Sequence, residues 1–195
     1  MKNILSLVPK EVNDYVESLI INQNLIIKTV PKRKTKHGDF RKFKNRYLIT
    51  INYTENKYLF LLVLIHEVAH YFVFKNNIKT TPHGIPWKNE YHKLLAPVLN
   101  NDCFPVRLLE LLKLHMINPK SSFSYDSQLV KELNKYENDF KGFTYLDNID
   151  DGSKFLYEKD KIFKKIKKRR KRYLCIDTVS KRKYLFLPHA KVELI

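Results

Sequence analysis

The succession of apolar patterns along this chain predicts an α+β fold, and three observations carry the reading. Two β-branched runs, Leu25 to Val30 and Tyr47 to Asn52, stand near the beginning. A series of helical patterns fills the middle. A strand–turn–strand pattern, Arg172 to Asp177 and then Tyr184 to Leu187, closes the chain. Strands grouped before and after a block of helices, rather than alternating with them, point to α+β.

From Glu11 to Asn24, Val12, Tyr15, Val16, Leu19 and Ile20 recur at helical spacing and predict a first amphipathic helix. The two β-like runs follow, and the basic stretch between them, with Gly38, is expected to be a hairpin connection. Asn56 to Phe74 is apolar enough for a buried helix. Pro86 suits the first turn of a second helix ending near Leu95, with Trp87, Tyr91 and Leu94 or Leu95 on one side. Asn100 to Pro105 reads as a loop and Val106 to Met116 as a helix ending before Pro119. Leu129, Val130, Leu133 and Tyr136 mark a further short helix. Asn148 to Ser153, with Gly152, is a turn signal. A boundary is expected near there, dividing residues 1–145 from a basic linker and hairpin at 146–195.

The middle of the apolar helix carries His66-Glu67-Val68-Ala69-His70. Positions four apart lie one above the other on a helix, so both imidazoles can reach one metal ion. Glu67 stands beside the first of them, where its carboxylate can take a proton from an attacking water. Three charged or polar groups inside such a run have no packing purpose. A catalytic zinc site needs a third ligand, and His83-Gly84-Ile85-Pro86-Trp87 supplies a candidate after a short polar stretch. Gly84 permits a close backbone approach. Trp87 is expected to pack behind the His83 turn. His37, His92 and His115 are expected on the surface. Tyr91 is a candidate for stabilising an oxyanion, and Glu90 and Asp102 are candidates for orienting the ligands.

The pair of motifs, His66-Glu67-x-x-His70 and then His83-Gly84-x-x-Trp87, resembles the SprT-like (Spartan-type) zinc metalloprotease domain. The resemblance runs from about Leu19 to the C-terminus and includes Lys34 to Arg41, similar to the basic, Gly-containing hairpin ahead of the catalytic helix, together with Phe104-Pro105 and His115 to Lys120. It implies a zincin-like minidomain with helices around a small antiparallel sheet, one Zn²⁺ per chain held by His66, His70 and His83, and Glu67 as general base for a zinc-bound water. In zincin-like folds a strand lines the cleft and pairs with extended substrate, a role expected here for Tyr47–Asn52 or its partner. Many relatives carry a four-cysteine zinc ribbon at the C-terminus. This chain has two cysteines, Cys103 and Cys175, so the closing strands imply a ribbon-like hairpin without its metal. Cys175 and His189 make at most half a site.

Composition bounds the partners. The chain has 195 residues, room for one domain with a core or a domain plus an appendage. There is no uninterrupted apolar run of membrane-spanning length and the first residues lack a signal-peptide core. With two unpaired-looking cysteines, these features lead us to expect a cytoplasmic protein. Net charge is +17, from 37 Lys and Arg against 20 Asp and Glu, which favours polyanionic partners. Two clusters concentrate it: Lys32, Arg33, Lys34, Lys36 and Arg41, and then Lys167, Lys168, Arg169, Arg170, Lys171 and Arg172. These are candidate nucleic-acid contacts, with Tyr157, Phe163 and Tyr173 as possible base-stacking partners. The resemblance points the same way, since characterised eukaryotic relatives cleave proteins crosslinked to DNA. The runner-up reading is a nucleic-acid-binding or regulatory protein whose zincin site is idle.

Overall fold

The computed structural model describes residues 2–21, 23–137, 142–157 and 161–195. The chain is mixed α and β, as expected, and divides into two units: residues 1–121 with 132–137, and residues 122–131 with 138–195.

In the first unit, a short helix α1 (Lys2–Leu5) and a 3₁₀ turn lead to α2 (Asn13–Ile20). Helix α2 buries Val16 and Ile20 and ends sooner than the periodicity suggested; Asn22 lies outside the described residues. Strands β1 (Leu25–Val30), β2 (Gly38–Phe43) and β3 (Arg46–Asn52) form a sheet in the order β1-β3-β2. The expected hairpin connection and the expected antiparallel sheet are therefore both corrected: the sheet is mixed. β1 and β3 run parallel, Leu25 opposite Tyr47, and the second half of the basic stretch is itself a strand, antiparallel to β3 with Gly38 opposite Ile51. The linking segment is long enough to hold a strand of its own, and the turn at Lys44, whose φ is +53°, reverses the chain tightly. β3 has a neighbour on both sides, so it cannot accept an added strand; among the described residues no strand pairs with the outer edge of β2.

Helix α3 (Lys57–Lys75) is the centre of this unit. It is apolar on every side, as a helix enclosed by its neighbours must be: Phe60, Leu61, Leu62, Leu64, Ile65, Val68 and Ala69 are fully buried. By length and composition it could cross a membrane, but 67% of its apolar window is buried inside the protein, the condition of a core helix. Its start is fixed by Asn56, whose side chain accepts from the Leu59 N–H at 3.0 Å and donates to the Leu133 carbonyl at 2.7 Å. Asn56 is 1% exposed, so Asn56→Ala removes an N-cap and strands a carbonyl. The expected loss is about 1–3 kcal/mol, read as a lower urea midpoint; a loss under about 0.5 kcal/mol would contradict the double role. Phe40, Tyr47, Tyr71 and Phe74 cluster between sheet and helix with ring centroids 5.2–6.2 Å apart. Helix α4 (Ile85–Leu95) packs on α3, and α5 (Val106–Met116) buries Leu108, Leu109, Leu111, Leu112, His115 and Met116 at helical spacing. Helix α6 (Ser127–Asn134) gives its last turn to this unit and its beginning to the other.

The second unit corrects the picture of a basic linker and a lone hairpin. It is a six-stranded sheet in the order β4-β9-β5-β6-β7-β8, built from β4 (Thr144–Tyr145), β5 (Lys154–Tyr157), β6 (Lys161–Arg169), β7 (Arg172–Asp177), β8 (Lys183–Phe186) and β9 (Lys191–Leu194). β5 to β8 form an antiparallel meander, and β9 returns beside β5. The expected pair of closing strands is present as β7 and β8. The segment read as linker is β6, because Phe163 and Lys165 point inward while Ile162 and Lys164 are exposed. Leu146, Ile149, Phe155, Phe163, Tyr173, Cys175 and Val192 form its core. Lys165 is buried in that core, donating to the Ile149 carbonyl at 2.6 Å with its ammonium 4.0 Å from the Tyr173 ring centroid.

Candidate metal centre

Helix α3 presents His66 and His70 one turn apart, and the loop to α4 brings His83 to them. The His83 Nε2 lies 3.1 Å from Nε2 of His66 and 3.0 Å from Nε2 of His70. Nitrogens bound to one tetrahedral zinc at about 2.0–2.1 Å stand roughly 3.4 Å apart, so three converging imidazole donors fit such an ion. The three side chains lie close enough to hold a metal ion, and no other group of His, Cys, Asp and Glu does so among the described residues. Burial lowers all three imidazoles, which favours the neutral form that ligation requires. It lowers His66 well below its ordinary range, with His70, His83, His115 and His37 adding to the effect. It takes His70 down to about 4, with His83 contributing, and lowers His83 as well.

The His83 turn is constrained. His83 has φ +60°, a left-handed conformation uncommon for a residue with a side chain. Gly84 caps α4, and a Cβ on it would come within 2.5 Å of Thr80 Oγ1 and 3.0 Å of the Thr81 carbonyl. Close approach is therefore the reason for glycine there. Trp87 is 1% exposed and touches all three imidazoles, with centroids 4.6 Å from His66, 5.4 Å from His70 and 4.7 Å from His83. Its indole N–H donates to the His66 carbonyl at 3.3 Å. It packs against the three imidazoles.

Glu67 is 6% exposed, and its side chain lies against Gly38 of β2. Burial pushes its carboxyl up to about 8 and Asp39 adds to the rise; Arg33, Lys36 and the neighbouring Phe40 N–H pull the other way. A dication beside it would draw it back down. Comparison with known proteins finds no matching family model, curated protein or solved structure. The geometry alone therefore carries the assignment.

Several expected roles change. Arg33 is not a free cation: it donates to Asn52 Oδ1 at 2.8 Å, Thr50 Oγ1 at 3.0 Å and the Thr50 carbonyl at 3.2 Å. Lys36 pairs with Asp39 at 2.7 Å. Both belong to the electrostatic frame of Glu67, while Lys32, Lys34 and Arg41 are exposed. Tyr91 is 1% exposed and stacked on Trp87 at 5.0 Å, so it lies behind the ligands rather than facing a substrate. His115 is 6% exposed, not on the surface, because its position continues the apolar stripe of α5; it is near enough to influence His66. His92 is exposed, as expected. Glu90 pairs with Lys93 at 3.7 Å, and Asp102 lies beside Cys103. His189 meets Ser127 at 3.2 Å, while Cys175 is directed to the Tyr173 carbonyl.

In the second unit Lys167, Lys168, Arg169, Arg170, Lys171 and Arg172 are all exposed on the β6–β7 hairpin, Arg170 turning it with φ +47°. Tyr173 and Phe163, offered as stacking partners, are buried; Tyr157 is half-buried. Two contributors escaped the reading by motif. Asn52 donates to the carbonyls of Arg33, at 3.3 Å, and Lys36, at 2.7 Å, and so stitches the loop that frames Glu67. Gly38 lies against Glu67 itself; a glycine opening a strand pattern is the signal that could have found it.

Proposed function

We propose that this protein is a zinc-dependent peptidase of the SprT-like type that acts in the cytoplasm on proteins associated with or crosslinked to DNA. The observation that carries the hydrolytic reading is the convergence of three imidazoles beside a buried carboxylate that none of them consumes. An idle or purely structural site has no need of Glu67, whose burial costs free energy unless its chemistry is used.

A divalent ion held by His66, His70 and His83 supplies Lewis acidity, which lowers the pKa of water toward about 7 and polarises a peptide carbonyl. Zinc suits an all-imidazole set of three with one open position. Glu67 accepts the proton of the attacking water at its carboxylate and returns it to the leaving nitrogen. Trp87 and the His83 turn keep the donors in register. The outer edge of β2 runs beside Glu67, and apart from the Phe40 N–H its backbone groups are those to which an extended chain can add as a further strand.

The DNA part of the proposal rests on charge. Six consecutive exposed basic residues on one hairpin, with a net charge of +17, favour phosphate contacts that are salt-sensitive and largely independent of sequence. The test is cleavage of a flexible protein such as casein by the zinc-loaded chain, with and without single-stranded DNA, at low and high salt. Cleavage that stops with a chelator, returns with zinc and is stimulated by DNA at low salt alone is the expected result. Cleavage indifferent to DNA leaves a general peptidase. DNA binding without cleavage favours a binding protein and overturns the hydrolytic reading.

A further inference from the structure

We propose that the Gly38–Phe40 segment of β2 is the seat of the general base: the absent side chain of Gly38 makes room for the Glu67 carboxylate, and the outward-facing amide of Phe40 fixes it. Both act as positioning groups, and the inference rests on the hydrolytic reading above.

The backbone register explains the amide. In an antiparallel pair, alternate residues turn their N–H and C=O toward the partner strand. The Asn52 N–H donates to the His37 carbonyl at 2.8 Å, which sets His37, Asp39 and Arg41 toward β3. Gly38, Phe40 and Lys42 turn their backbone groups to the outer edge. A donor on that edge is left to water or to another chain unless a side chain takes it. The Phe40 N–H instead lies beside Glu67, close enough to hold its carboxyl down against the effect of burial.

The glycine has a steric reason. Positive φ is confined to Gly142 and Gly152 among the described glycines, so Gly38 is not required by its backbone conformation. In a strand, glycine weakens pairing and commonly marks a close approach. Here the approach is to the base. A Cβ at position 38 would collide with Glu67 Oε1, and would stand 2.7 Å from Glu67 Cγ and 2.8 Å from Val63 Cγ1. Val63 lies one helical turn before Glu67, so the pocket that β2 leaves open is bounded on two sides by α3. The carboxylate could escape a methyl group at 38 only by swinging away, and that motion leaves the Phe40 amide. A misplacement of about 1 Å at such a group costs about 10²-fold in rate.

The experiment uses the full chain as wild type, Glu67→Ala and Gly38→Ala. Amide exchange in the metal-free protein is followed by NMR. Phe40 should exchange at least about tenfold faster in Glu67→Ala, while Asp39 and Arg41, paired to β3, report that the strand is intact. With zinc, Gly38→Ala should keep about one metal per chain and lose about 10- to 100-fold in kcat with KM changed by less than about threefold. Unchanged Phe40 exchange in Glu67→Ala overturns the proposal, as does a Gly38→Ala protein with full kcat. A wild type without peptidase activity sinks the hydrolytic reading instead, and the exchange result still decides whether β2 holds the carboxylate.

Discussion

Glu67→Gln should abolish peptide hydrolysis while leaving the metal in place. The amide has the shape of the carboxylate and keeps an oxygen for the Phe40 N–H, so the pocket formed with Gly38 and Val63 is retained. It cannot accept a proton, and general-base catalysis alone is worth about 10²–10⁴-fold. The check is kcat on a flexible protein beside zinc content by elemental analysis. Loss of activity with about one zinc per chain is expected; full activity removes Glu67 from the chemistry. The same substitution bears on the metal-free fold. Glu67 is raised from an ordinary value of 4.5 to about 8. Between those values the folded chain holds a proton that the unfolded chain has released, so stability falls as pH rises from 4.5 through 8. His70, lowered from 6.5 to about 4, has the opposite slope: its contribution is complete above 6.5 and is lost as pH falls through about 4. With a chelator present, urea denaturation should show wild type weaker at pH 8 than at pH 6.5, a window above the range where the lowered histidines titrate, by an amount on the order of 1–2 kcal/mol through Glu67. Glu67→Gln removes that loss on the alkaline side and leaves the acid side unchanged.

His83→Gly should separate metal binding from stability. Two imidazoles remain, too few for a catalytic zinc site, so zinc content falls from about one per chain to a trace. At a thousandfold excess over Kd, ligand binding stabilises a fold by about 4 kcal/mol; the corresponding rise in Tm with zinc should vanish. The metal-free variant should nonetheless stay within about 1 kcal/mol of wild type, because glycine relieves the left-handed backbone at +60° while raising the entropy of the unfolded chain. His83→Ala loses the ligand but keeps a Cβ at that φ, and should be the less stable by about 1 kcal/mol. Thermal melts with and without zinc distinguish these outcomes. Undiminished zinc binding in His83→Gly would remove the third ligand from the site.

What the sequence made legible followed from periodicity and fixed spacing. α3, α4 and α5 lie within a residue of their expected bounds because long apolar runs and Pro86 mark them. His66 and His70 share a helix face by arithmetic, and His83 stood out through its glycine and tryptophan. The pairing of β1 with β3 was not legible, because period-two patterns say which face a residue occupies and nothing about the neighbouring strand. β6 was hidden by its charge: lysine and arginine make up most of the strand, and a lysine also occupies an inward position at 165. Arg33 looked like any member of a basic cluster, since its partners Thr50 and Asn52 come from a strand whose register was unknown. His115 was hidden by the habit of placing lone histidines on surfaces.

The order β1-β3-β2 also has a kinetic consequence. The β2–β3 hairpin closes over the short turn at Lys44, and such hairpins form in about 1–10 μs. Leu25 meets Tyr47 only after the whole intervening segment has been drawn in, and nonlocal parallel pairing is intrinsically slower. Gly38 and Phe40 belong to the fast, local part. The surface that receives the carboxylate is therefore made from the shortest-range contacts of the sheet, and slow closure of β1 completes the sheet around a niche that already has its shape.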